Sequence, residues 1–218
     1  KKITFEASVH YYHHKRALEN LYGILPCSKI VWILRNPLPR ALSEYMHQAV
    51  KSRSYPPFAA ILGTEVEAIQ YCQGNSAKRK LDFEHGFENM LFKCLARFKL
   101  KKYTLSTGFY AYFIYAWLEK FPFDRHLFLD YDHFKRNPEE TLQRLTRFLG
   151  ISPFSSISLR WKYNKANTRD GRAVAIREKS LRIPRHIRTK IVEVLNPQVE
   201  KVYEYIGENF EWNLDKLS

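Results

Sequence analysis

The chain has 218 residues, 45% of them hydrophobic and 15% aromatic, which is enough to bury one sizeable core and excludes a disordered chain. No run approaches the roughly 18 consecutive apolar residues of a membrane span, and the first residues lack the apolar stretch and cleavage site of a signal peptide. The balance of 36 Lys+Arg against 22 Asp+Glu leaves a formal charge of +14, which attracts polyanions (nucleic acid, anionic lipid, nucleotides or acidic glycans) without choosing among them.

In chain order, residues 3–7, ITFEA, read as a short strand, and residues 14–24 as a helix closed by Pro26. KIVWIL, residues 29–34, is a nearly continuous apolar run rich in β-branched residues, the pattern of a strand buried on both faces. A helix is predicted from Pro39 to Lys51. Residues 52–85 are less regular and read as a loop-rich, substrate-facing insertion. Helices are predicted over 86–101 and 107–120, and HLFLDYD, 126–132, is the second clear strand. The next helix has Asn137 as N-cap, Pro138 at its first position, Glu139 and Glu140 in its first turn, and Gly150 as its stop. A loop over 152–184 and a last helix over 185–208 complete the chain. Strands separated by helices imply a parallel sheet, and such sheets bind ligands at the carboxyl ends of their strands. That edge holds Arg35, after KIVWIL, and the Asp130–Asp132 region.

Arg35 presents a planar fork that can hold a phosphate through two hydrogen bonds, and Ser43, about two turns into the following helix, can offer a hydroxyl to the same anion. The plainer reading pairs Arg35 with a nearby acid and leaves Ser43 as an ordinary helix residue. The stretch KIVWILRNPLPRALSEY resembles the 3′-phosphate-binding segment of sulfotransferases, Arg-x-Pro-x-x-Arg-x-x-Ser-x-Tyr after a strand, here Arg35, Pro37, Arg40, Ser43 and Tyr45. FEASVHYYHH resembles the segment before that strand, and STGFYAYFIYAWLEKF the helix that follows it in carbohydrate sulfotransferases. The Glu-Ala-Ser form is nearest to the N-acetylgalactosamine 4-sulfate 6-O-sulfotransferase group.

The resemblance covers nearly the whole chain, taken as one domain, 1–218. It implies an α/β fold, a parallel sheet flanked by helices, of the P-loop-like sulfotransferase type. It also implies transfer of a sulfuryl group from 3′-phosphoadenylyl sulfate to a hydroxyl of an anionic glycan, without a metal and without nucleic acid as partner. Arg35 and Ser43 would bind the donor's 3′-phosphate. Arg169, Gly171 and Arg172 stand where the family has a basic, glycine-containing loop over the nucleotide.

The family's Gly-rich donor loop with its lysine is not found in the chain, nor is the glutamate base expected beside it. The expectation is therefore the C-terminal part of a domain, lacking its first strand and donor loop, with the catalytic base upstream of Lys1. The enzyme would work in the Golgi lumen, with any membrane anchor also outside the chain. Two rival classes stand beside this one: a kinase-like P-loop transferase and a non-catalytic polyanion-binding module.

Cys27, Cys72 and Cys94 show no Cys-x-x-Cys spacing, which argues against structural zinc, and both one disulfide and three thiols stay open. His10 and His14 have helical spacing, but without a His-Glu-x-x-His arrangement they read as structural.

Overall fold

A computed structural model describes residues 4–52, 54–74, 90–100, 103–152 and 171–216. Among these, two strands pair in parallel: β1 (Ile30–Leu34) and β2 (His126–Asp130), in the register Ile30 to His126 through Leu34 to Asp130. Around them lie α1 (Lys15–Ile24), α2 (Pro37–Ala49), α3 (Phe58–Gly74), α4 (Met90–Leu95), α5 (Tyr110–Leu118), α6 (Tyr131–Arg136), α7 (Pro138–Leu149), α8 (Gly171–Ser180) and α9 (Arg185–Ile206). Helix α9 packs on α3 and α5, and α7 lies against β2. The core is aromatic at its centre, where Trp32 of β1 meets Trp117 of α5 edge-on and stacks on Phe128 of β2.

The parallel α/β arrangement is the one expected, and several local expectations are corrected. Residues 4–7 form no strand: they are exposed, and an extended segment without a partner strand leaves its backbone groups to water. β1 is buried on one face only, since Trp32 and Leu34 are covered while Val31 and Ile33 are 38% and 53% exposed. The insertion contains a 17-residue helix, α3. Phe58, Leu62, Val66 and Ile69 recur at helical spacing and bury one stripe. Helix α2 starts at Pro37, two residues early, because Asn36 caps it through Oδ1. Asn137 holds the N-cap position of α7 without a capping bond; its amide approaches His133 of α6 instead. Gly150 does close α7, in the left-handed region at φ 70°. Gly171 and Arg172 open helix α8 rather than lying in a loop, while Arg169 falls outside the described residues.

The disulfide question is resolved. Cys72, near the end of α3, joins Cys94 of α4 with Cα atoms 5.7 Å apart, and Cys27 is an exposed free thiol. Closing a loop of this length constrains the unfolded chain by about 3 kcal/mol. The double variant Cys72→Ser/Cys94→Ser is expected to lose about that much stability in a urea titration. An unchanged midpoint would show that the bridge adds nothing to the fold.

Candidate active site

The carboxyl edge of the sheet is assembled from the residues that end the two strands. Asn36, two residues past β1, and Asp130, the last residue of β2, do matching work. Each caps the helix that follows, Asn36 accepting from Leu38 N–H and Asp130 Oδ2 from His133 N–H at 2.7 Å. Each also grips the segment after α9: Asn36 donates to the Asn213 carbonyl at 2.8 Å, and Asp130 Oδ1 accepts from Trp212 Nε1 at 2.9 Å. The C-terminal segment therefore straps both strand ends together. Trp212 packs on Tyr110 and Tyr203 beneath this edge.

Arg35 stands at the edge itself. Its guanidinium lies over the Tyr131 ring, 4.9 Å from the centroid, and its Nε is 4.0 Å from Asp132 Oδ2. Four ångströms is a loose ion pair, and Nε makes no hydrogen bond among the described residues. The side chain is thus oriented by an aromatic face. It pairs with an acid, as the plainer reading expected, but too loosely to occupy its fork. Ser43 is exposed on α2, roughly 9 Å along the helix axis from Pro37 at 1.5 Å per residue. Both predicted 3′-phosphate residues are therefore solvent-accessible and follow the carboxyl end of β1.

The other named positions of the motif serve the fold. Tyr45 is buried against Tyr55 and Phe58. Arg40 turns inward, donating to Glu44 at 2.9 Å and to the Thr104 carbonyl. Burial pulls its pKa down, but Tyr110, Tyr12 and Glu44 reverse the direction, so it stays charged. Burial in turn raises the pKa of Tyr12 and Tyr110. Gly108 sits so close to this group that a Cβ there would lie 3.0 Å from Pro37 Cβ, which explains glycine at the head of the Gly-Phe-Tyr stretch.

One residue that sequence reading missed is Glu65. It lies on the buried stripe of α3 and accepts four hydrogen bonds, from the backbone N–H of Thr104, Leu105 and Ser106 and from Ser106 Oγ, all at 2.8–2.9 Å. Four donors and no acceptor suit the ionised carboxylate, while burial pushes its pKa up. A glutamate three residues after Leu62 and four before Ile69, on an apolar stripe, was the signal available.

The histidines form a contact group, with His13 between His10 and His14 at ring distances of 5.6 and 4.4 Å. Burial, then the neighbouring His14 and His10, lowers the His13 pKa to about 4. His126, stacked on Phe128, accepts from Trp32 Nε1 through Nδ1 and faces the Phe121 carbonyl through Nε2, so its neutral form fits. Burial lowers its pKa as well. Both groups bind protons more readily unfolded than folded. Their stabilising contribution is complete above about pH 6.5 and falls on acidification, for His13 until about pH 4. Thermal unfolding should accordingly show Tm dropping from pH 7 to 4.5, and the drop should shrink in His126→Gln. A flat profile would contradict buried neutral histidines.

Residues 23–211 match the family described as the sulfotransferase domain. The chain is 25% identical to the bifunctional heparan sulfate N-deacetylase/N-sulfotransferase 1 of Caenorhabditis elegans over 95% of its length, covering 22% of that protein. It is 31% identical to N-deacetylase/N-sulfotransferase 3 of Mus musculus over 72% of its length, covering 15% of that protein. Against heparan sulfate glucosamine 3-O-sulfotransferase 6 of Mus musculus it is 22% identical, covering 97% of this chain and 57% of the relative. The chain thus spans 15–22% of the length of these bifunctional relatives and 57% of the 3-O relative. The crystal structure of a sulfotransferase from Alicyclobacillus acidocaldarius superposes with TM-score 0.60 at 20% identity, over 94% of this chain and 65% of that one, and shares its fold. With its strand-end arginine followed by a capped helix, and with the family match running from Gly23 to Glu211, this chain belongs to the sulfotransferase domain family.

Proposed function

We propose that the chain carries the 3′-phosphate side of a donor site in an enzyme that transfers a sulfuryl group from 3′-phosphoadenylyl sulfate to a hydroxyl of a glycosaminoglycan-like acceptor. The observation that carries the reading is Arg35: a half-buried guanidinium at the sheet edge, held on Tyr131 and only loosely by Asp132, at the strand end where such sheets bind ligands. Ser43 adds a hydroxyl from α2. Helix α8, opened by Gly171 and Arg172, packs against α2 and keeps those two residues, with Arg169 before them, as candidates to close over the nucleotide.

The +14 charge suits an anionic acceptor, and the relatives named for heparan sulfate support that class. A disulfide between Cys72 and Cys94 supports an oxidising compartment such as the Golgi lumen. These 218 residues hold no Gly-rich loop with lysine, so the reading assigns them the 3′-phosphate side of the donor site and not the groups around the reacting sulfate. A base would take the acceptor's proton, and cationic groups would stabilise charge building on the bridging oxygen of the donor.

The test is to give the intact protein 3′-phosphoadenylyl sulfate labelled in its sulfur, with heparan or chondroitin chains and EDTA. Label should appear on the glycan. Magnesium-dependent transfer of the γ-phosphate of ATP would replace this reading with a kinase-like one. Salt-dependent glycan binding without any transfer would leave a polyanion-binding module.

A further inference from the structure

Glu65 has no place in the donor site as described, yet it is the most heavily hydrogen-bonded buried carboxylate among the described residues. What it holds matters more than where it is. Three successive backbone N–H groups and a hydroxyl converge on it, the arrangement that elsewhere captures a free anion. Here the chain supplies the anion itself, from α3. The segment so anchored, residues 104–110, meets the 3′-phosphate motif at Arg40 and Pro37 and the chain before it at Tyr12. The Thr104 carbonyl accepts from Arg40 Nη2. Thr107 accepts from Tyr12 through its carbonyl at 2.8 Å. Gly108 lies against Pro37, the first residue of α2. Tyr110 lies close enough to Arg35 for that residue to act on its hydroxyl, lowering a pKa that burial raises.

We propose that Glu65 is a positioning residue for the donor's 3′-phosphate. By fixing residues 104–106 it sets the segment against which Pro37 and Arg40 are held, and so aims the Arg35 fork just before them. The proposal rests on the reading of Arg35 as a 3′-phosphate ligand. A positioning role differs from a purely structural one in a measurable way. Loss of aim at the 3′-phosphate leaves the rest of the nucleotide's contacts intact, so it erodes discrimination between adenosine 3′,5′-bisphosphate and adenosine 5′-monophosphate. General loosening weakens both nucleotides together.

The experiment is calorimetric titration of the intact protein with these two nucleotides. Ser106→Ala removes one of the four donors and changes little else. It is expected to lower the bisphosphate preference about three-fold, in line with one lost hydrogen bond. Glu65→Gln, which can no longer accept from all four, is expected to lower it about ten-fold or more, with affinity for the monophosphate kept within about two-fold. If Glu65→Gln does not fold, Ser106→Ala alone decides. Arg35→Ala is run beside them. A preference that survives Arg35→Ala overturns the 3′-phosphate reading and this proposal with it. A preference lost in Arg35→Ala but unchanged in folded Ser106→Ala and Glu65→Gln, or parallel losses for both nucleotides, overturns the positioning role alone.

Discussion

Replacing Arg35 with alanine in the intact protein is expected to weaken adenosine 3′,5′-bisphosphate about 100-fold while leaving glycan binding nearly unchanged. A guanidinium donating two charge-assisted hydrogen bonds to a phosphate contributes up to about 3 kcal/mol, and about 2.7 kcal/mol corresponds to two powers of ten in affinity. The side chain is already turned to the edge by Tyr131, so little ordering cost is set against that gain. Arg35→Lys keeps the charge but not the planar fork or the stacking on Tyr131, and should recover only part of the loss. If the protein merely binds polyanions, Arg35→Ala removes one phosphate contact among many. The change is then a salt-dependent loss with the slope reduced by about one, and it falls on the glycan. Isothermal titration with both ligands at two salt concentrations separates these outcomes.

Replacing Glu65 with leucine is expected to cost about 3–5 kcal/mol of stability, the largest single loss among the substitutions considered. The two side chains are close in volume, so a cavity is not the reason. The cost comes from leaving the N–H groups of Thr104, Leu105 and Ser106 and the Ser106 hydroxyl buried without an acceptor. Leucine offers only the gain of burying apolar rather than charged surface, which is smaller than four orphaned donors. Urea denaturation of the variant checks this. A loss under about 1 kcal/mol would mean that the donors find water or other partners, and that the carboxylate is not what holds the segment.

The elements that punctuate themselves locally were legible in the sequence. The Pro138 start and Gly150 stop of α7, and the two β-branched or alternating apolar runs of β1 and β2, all act through residues a few positions apart. The candidate edge was legible for the same reason, because a strand, an arginine and a capped helix are contiguous. What escaped depends on partners far along the chain. The single-faced burial of β1 depends on what packs over Val31 and Ile33, and the continuity of KIVWIL says nothing about that. Helix α3 was hidden by the Ser-Tyr-Pro-Pro turn before it and the polar stretch after it, although its stripe is regular. Asn137 was a sound cap by type, but His133, four residues back, competes for its amide. Arg40 and Glu65 look like surface charges in one dimension. Only the meeting of α2, α3 and the 104–108 turn shows that one is satisfied by Glu44 and a carbonyl and the other by a row of N–H groups.

The measurement that bears most directly on the account is a crystal structure of the intact protein with adenosine 3′,5′-bisphosphate bound. The account predicts 3′-phosphate oxygens within about 2.7–3.2 Å of the Arg35 guanidinium and of Ser43 Oγ, at the carboxyl end of β1. A nucleotide bound elsewhere, with Arg35 still resting between Tyr131 and Asp132 and Ser43 facing solvent, would contradict it.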